Sequence, residues 1–288
     1  MTTPITQPCQ ITAPGDYYLA NDITITNVNQ LVGGAALYIT AAGVRINMNG
    51  KKVRGVGLDP NYPSIGIKGE ATNNLVVFDG QVGGVTGFWC GVYSYTPWTR
   101  LQELDLSGNC YMGASLSGHT ARLYYNKIDG IAGTTNEPYS IGLNIGGSNS
   151  EIRGNTLRNF YKQVGASGVG EGCAIILNAS ADDCLVERNW IENDQECVDT
   201  IAIFGGSGGA HTITGNNIAG FQVGVMGGGT LGSPVTSRLN HVVRKSALAS
   251  SSGITCDYGL TEGNMIVGYA TPLGDAPTGT GNIVVGAA

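Results

Sequence analysis

Apolar and polar positions along the chain repeat one pattern: an apolar residue, an Asn three positions on, and a second apolar residue two beyond it. It reads Leu123-Tyr124-Tyr125-Asn126-Lys127-Ile128, then Ile152 to Leu157 around Asn155, Val186 to Ile191 around Asn189, and Ile213 to Ile218 around Asn216. Looser copies follow at Asn240 with Val242 and Asn264 with Ile266, and the steps between successive Asn residues are 29, 34, 27, 24 and 24. Residues 44–50, 75–80 and 101–105 look like degenerate earlier copies. A second apolar run belongs to each unit, as in residues 64–68, 141–145, 174–177, 200–204 and 253–255. These runs are short or alternating and bounded by Gly clusters, which predicts strands. Helical periodicity is nearly absent.

A local context returning at this period predicts a solenoid. The expected fold is all-β, a right-handed parallel β-helix of roughly nine to ten coils, with three short strands per coil around one apolar core. An antiparallel β-sandwich is the runner-up, but it does not predict an Asn returning in one setting. One domain is expected over 1–288, with 1–36 as an N-terminal cap and 37–288 as coils. Asn and Gly at the kink tolerate left-handed backbone angles, and stacked Asn side chains hydrogen-bond along the axis. Positions three before and two after each Asn should point inward. Positions two before, one after and three after should point outward, in ladders about 4.8 Å per step. The ladders read Tyr124, Arg153, Glu187, Thr214, Arg238; Lys127, Thr156, Trp190, Asn217, His241; and Asp129, Arg158, Glu192, Ala219.

The opening segment resembles a known group. Pro14-Gly15-Asp16-Tyr17-Tyr18-Leu19, followed by Leu37-Tyr38-Ile39 and by Val44-Arg45-Ile46-Asn47-Met48-Asn49-Gly50, is similar to the first coils of the pectate-lyase-like superfamily. The resemblance implies the β-helix fold over nearly the whole chain. It leaves function open, because the superfamily holds lyases, hydrolases, epimerases, phage spikes and proteins without known activity.

Composition agrees with many turns and close backbone stacking: 46 of 288 residues are Gly and 12% are charged. The net charge of −6 disfavours nucleic acid and anionic membranes as partners, while a local basic patch could still hold an acidic polysaccharide. No stretch approaches the roughly 20 apolar residues of a membrane span. The first residues lack the basic and apolar regions of a signal peptide, so the expected location is the cytosol, a phage particle, or outside the cell after signal removal. The seven cysteines are odd in number and form no CxxC pair, which predicts buried free thiols. The glycine-rich stretches near 205–209 and 227–229 lack the Gly-Lys-Ser/Thr ending of a phosphate loop and read as turns.

Candidate chemistry concentrates where Asp182, Asp183, Glu187, Glu192, Asp194, Glu196 and Asp199 place seven of the 21 acids within 18 residues. Glycoside hydrolysis needs two carboxylates about 5–5.5 Å apart for retention or 6.5–9.5 Å for inversion. Asp182, Asp183, Asp194, Glu196 and Asp199 are therefore the catalytic candidates. Trp190, Arg153, Arg158, Tyr161, Lys162 and Glu192 are the substrate-binding candidates, Trp190 because a large ring on a polar ladder suits sugar stacking. No cofactor is expected. Ca²⁺ is an option for the same acids, without an Asp-x-Asp-x-Asp-Gly loop to support it. The aromatics Phe88, Trp89, Tyr93, Tyr95 and Trp98 either stack on sugars or pack under a loop. His119, His211 and His241 show no metal spacing and read as structural. The expected function is a carbohydrate-active enzyme on a poly- or oligosaccharide, a glycoside hydrolase ahead of a lyase or epimerase. The alternatives are a non-catalytic binding or assembly module, as in a tail spike or adhesin, and an enzyme on a small cytosolic substrate. A C-terminal coil without a polar cap suggests a homo-oligomer.

Overall fold

The recurrent motif folds as strands of three to six residues with apolar side chains turned inward. Around Asn126, Leu123 and Ile128 are fully buried, while Tyr124 and Asp129 are half-buried and Lys127 is exposed. The same alternation holds around Asn155, Asn189 and Asn216, as the register predicts. The computed structural model describes all residues except 1, 72, 80–82, 162–170, 195–197, 207–208, 229–233, 245–249, 257, 275–278 and 286–288.

Among the described residues the strands stack into parallel sheets on three sides. The first sheet has eleven strands, from Thr3–Ile5 to Gly259–Glu262, and carries the residues before each Asn. The second also has eleven, from Cys9–Ile11 to Thr271–Gly274, and holds the second apolar runs. On the third side, a three-stranded block (Ile23–Ile25, Lys52–Gly55, Gly84–Thr86) precedes a seven-stranded block running from Lys127–Ile131 to Ile283–Val285. Isolated bridges from Asp105 to Gly84 and to Lys127 join the two blocks. The chain passes from second to first to third sheet in each coil, which makes a right-handed parallel β-helix. No α-helix occurs among the described residues; a single 3₁₀ turn, Val28–Gln30, is capped by Asn27. One apolar core runs along the axis from Ile5 to Tyr269.

The Asn column forms the corner between the first and third sheets. Each side chain bonds to the next rung: Asn155 Nδ2 donates to Asn189 Oδ1 at 3.0 Å, and Asn189 Nδ2 to Asn216 Oδ1 at 2.9 Å. Each Oδ1 also accepts the backbone N–H of the preceding Asn, and each Nδ2 donates to a carbonyl of the rung before, so buried polar groups are paired. The column extends to Asn282, one rung beyond the motifs read from sequence. One detail of the expectation changes. The left-handed residue is not the Asn but the one before it: Tyr125, Gly154, Arg188, Gly215, Leu239, Gly263 and Gly281 all have positive φ. The corner turns at that residue, which leaves the Asn extended and its side chain aimed along the axis.

Six cysteines are free thiols, four of them buried (Cys90, Cys173, Cys184, Cys256) and two half-buried (Cys9, Cys110); Cys197 lies outside the described residues.

Candidate functional site

A compact set of outward-facing reactive side chains stands on the second sheet. In Cys90–Ser94, Val92 and Ser94 are buried, so Tyr93 between them faces out. Register places Tyr93 above Lys68, Lys68 above Tyr38, and Ser115 and Asn144 on the next two rungs. Just past the strand ends, Glu70 and Tyr95 stand beside this column. Lys68 Nζ pairs with Glu70 Oε1 at 2.7 Å and lies 5.1 Å from the centre of the Tyr38 ring. The Tyr38 hydroxyl donates to the other Glu70 oxygen. The Tyr93 and Tyr95 hydroxyls are 2.6 Å apart and their rings meet edge to face, with centres at 5.1 Å. Asn178 Nδ2 donates to Asn144 Oδ1 at 2.7 Å, and Asn144 Nδ2 to Ser115 Oγ at 3.2 Å, which continues the polar row.

These contacts set the protonation states. Hydrogen bonds from Lys68 and then Tyr38 hold the Glu70 carboxyl below its ordinary pKa. The bond to Glu70 raises the Tyr38 phenol, and burial followed by the bond to Tyr95 raises Tyr93. At neutral pH Glu70 is therefore a carboxylate and the Tyr38 and Tyr93 phenols are protonated. The cluster can donate hydrogen bonds to sugar oxygens and offers ring faces to sugar C–H groups.

Along one edge of the same face, Cys90, Met112 and Ile141 form a small apolar cluster with Trp89, Tyr93, Tyr111 and Ile176 packed against it. Trp89 and Tyr111 have ring centres 4.7 Å apart, and burial pushes the Tyr111 phenol up to about 12. Two corner loops meet beside it: Asn61 Oδ1 accepts from Thr135 Oγ1 at 2.9 Å and from the Asn136 N–H at 3.1 Å. Those loops lead into strands Ile65–Gly69 and Ser140–Ile145, so their clasp bridges the Cys90 and Met112 rungs between them. Tyr62 and Tyr139, one in each loop, are exposed.

No family sequence profile matches the chain, and no curated protein matches it in sequence. Solved structures do. The periplasmic alginate epimerase AlgG superposes with a TM-score of 0.63 at 11% identity, over 95% of this chain and 69% of that one. A single-residue mutant of the same epimerase gives 0.56 at 12% identity, over 96% and 70%. The likeness is one of fold. The chain is similar to AlgG as a parallel β-helix, and identities this low carry nothing about its chemistry.

The acids singled out from sequence are spread around the β-helix. Asp182 sits at the corner between second and first sheets, where its Oδ1 accepts the N–H groups of Asp183 (3.0 Å) and of Ala210 on the next rung (3.1 Å). Asp183 is exposed and left-handed, with φ of 49°. Asp194 and Asp199 lie at the corner between third and second sheets. A six-residue strand, Gly172–Leu177 or Thr200–Gly205, separates the two corners, about 16 Å along the backbone. Asp182 and Asp183 are thus not brought to Asp194 and Asp199 at the spacing that paired-carboxylate hydrolysis needs. Glu196 and Lys162 lie outside the described residues.

The binding candidates divide between two faces. Arg153 is on the first sheet, paired with Glu187 at 2.8 Å. Arg158, Trp190 and Glu192 are together on the third sheet: Arg158 pairs with Asp194 at 2.6 Å and Glu192 at 3.7 Å, and Trp190 Nε1 donates to Glu192 at 3.2 Å. Tyr161 donates to Asn159 Oδ1 at 2.9 Å. Of the early aromatics, Phe88 is core, Trp89 packs with Tyr111, and Tyr95 and Trp98 are exposed. His211 is buried, accepts the Cys184 N–H at 3.4 Å, and has its pKa lowered by burial, which is a structural role. Among the described residues no group of three or more His, Cys, Asp or Glu is placed to hold a metal ion.

Sequence reasoning missed Tyr38, Lys68 and Glu70. The signal was present: Tyr38 and Lys68 each follow an inward apolar residue in runs already recognised as strands. Stacking those runs in register with Cys90–Ser94 aligns Tyr38, Lys68 and Tyr93 in one column.

Proposed function

We propose that this β-helix is a carbohydrate-binding or carbohydrate-acting protein whose glycan lies across the outer face of the second sheet. The observation that carries the reading is the Tyr38–Lys68–Tyr93 column with Glu70 and Tyr95 beside it. Rings, protonated phenols, an ammonium and an amide row stand there within a few rungs, next to an aromatic wall. That mixture matches the alternating apolar faces and hydroxyl edges of sugars. Hydrolysis by two carboxylates is the less favoured chemistry on this face, because Glu70 is the one carboxylate of the cluster and is engaged by Lys68 and Tyr38. If the face is catalytic, its phenols, held protonated by their raised pKa, would act as proton donors rather than as bases. The fold shared with an alginate epimerase makes alginate a sensible member of the test panel.

The test is affinity electrophoresis against neutral and acidic polysaccharides, with parallel assays for new reducing ends and unsaturated uronates. Wild-type protein should be retarded by at least one polymer. Tyr38→Ala and Tyr93→Ala should each weaken retardation about three- to ten-fold, the range for losing one aromatic contact, with circular dichroism unchanged. Retardation by no polymer, or retardation that survives both substitutions, would overturn the proposal.

A further inference from the structure

Beyond Asn144 the outer face of the second sheet changes character. In Thr200–Gly205, Ala202 and Ile203 both point into the axial core, so the residues flanking that pair, Ile201 and Phe204, both face outward. Strand register repeats this arrangement on the neighbouring rungs and gives two outward columns. One reads Asn144, Ile176, Phe204, Met226, Thr255, and the other Ile141, Cys173, Ile201, Val223, Ser252.

The five strands that build these columns contain no Asp, Glu, Lys, Arg or His. On the same coils the other two sheets carry ion pairs, among them Arg153 with Glu187, Arg158 with Glu192 and Arg238 with Glu262. Met226 is 40% exposed, and Ile176, Ile201, Phe204 and Val223 are half-buried. Three consecutive apolar rungs thus meet water without a charge among them, an arrangement that a covering surface stabilises.

The order along the first column fits one kind of cover. From Phe204 the outward side chains run alike in both directions: an aliphatic chain (Ile176 or Met226), then a hydrogen-bonding one (Asn144 or Thr255). A surface symmetric about its middle rung is complementary to a second copy turned end for end. With a two-fold axis lying in the interface along the Phe204 strand, Phe204 meets its own counterpart and Ile176 meets Met226. Asn144 and Thr255 then meet at the rim, where polar groups belong. Five rungs of about 4.8 Å and strands of about 16 Å give a footprint of roughly 400 Å² per copy. That is half of the roughly 800 Å² per partner of a standard stable interface, so the pairing is weak and depends on concentration.

We propose that this apolar face docks a second copy of the chain, sheet on sheet, with the two β-helix axes antiparallel. Tyr93 lies two rungs before Asn144, so the Tyr38–Lys68–Tyr93 column stays outside the contact. The dimer therefore does not rest on the glycan reading.

Sedimentation velocity of the full chain, from micromolar to millimolar concentration, should show a reversible shift from monomer to dimer. Met226→Lys should abolish that shift, because it buries an unpaired ammonium against the other copy's Ile176. Ile176→Glu should abolish it too. An equimolar mixture of these two variants should recover dimer, since the new ammonium of one chain then faces the new carboxylate of the other. Circular dichroism reports whether each variant folds; should Ile176→Glu fold poorly, Met226→Lys, at the most exposed position of the patch, decides alone. Tyr38→Ala and Tyr93→Ala should dimerise as wild type does, which separates failure of this proposal from failure of the glycan site. Wild-type protein that stays monomeric at millimolar concentration would overturn the proposal. A dimer that survives Met226→Lys, or a mixture of the two folded variants that stays monomeric, would do the same.

Discussion

The residue before each ladder Asn shows how a single position shapes the corner. It alternates between bulky and absent side chains: Tyr125 then Gly154, Arg188 then Gly215, Leu239 then Gly263. A Cβ on Gly154 would stand 2.6 Å from the Tyr125 ring, and one on Gly263 would stand 2.9 Å from Leu239 Cδ2. Each large left-handed residue thus lies over the glycine of the next rung. Left-handed backbone costs an L-residue about 1–2 kcal/mol, so Leu239, 69% exposed, is held at some strain. Gly263→Ala should lower stability by about 1–2 kcal/mol through that backbone cost plus the Leu239 contact. Leu239→Gly should change stability little or raise it by up to about 1 kcal/mol, because glycine's larger unfolded-state entropy offsets part of the relief. Denaturant midpoints of the two variants check this, and a stable Gly263→Ala protein would contradict the packing described.

Among the elements, the Asn column is the one whose satisfaction is cooperative. Asn189 accepts from Asn155 and donates to the Ile152 carbonyl on one side, and donates to Asn216 on the other. Asn189→Ala leaves the buried Asn155 amide groups and the Ile152 carbonyl without these partners, each costing about 1–3 kcal/mol. A loss of about 2–4 kcal/mol is expected in urea unfolding. Asn282, at the edge of the column, is only half-buried and donates to backbone carbonyls rather than to a further Asn, so Asn282→Ala should cost clearly less. Equal losses would show that the column is not what holds the corner. The element scale also explains the opposite charges read from the ladders: Arg153 with Glu187 and Arg158 with Glu192 are neighbours across adjacent strands. Exposed pairs of this kind contribute a few tenths of a kcal/mol.

At the scale of the whole molecule, each rung touches only its neighbours, so stability is a sum of rung and interface contributions rather than one global core. Ile191 is fully buried on the third sheet, between Leu157 and Ile218. Ile191→Ala should cost about 2–5 kcal/mol and should lower hydrogen-exchange protection mainly at Leu157, Ile191 and Ile218. Amides near Ile46 and Val53, many rungs away, should keep theirs. A uniform loss along the chain would instead mean that the β-helix unfolds as one unit.

The pattern of apolar residues around Asn126, Asn155, Asn189 and Asn216 determined the fold by itself, because strand alternation is local and one buried amide per coil leaves a mark at a constant offset. It determined which residues face outward for the same reason. It did not determine which outward residues share a face. The corners hold insertions of unequal length, as the steps of 29, 34 and 27 residues show, so distance along the chain is no guide to angle around the axis. Asp182 and Asp199 are close in sequence and lie at opposite corners of a sheet. Tyr38, Lys68 and Tyr93 span three coils and stand in one column. Closure of the coil decided that, because only the closed coil gives each strand its angle and each rung its neighbours.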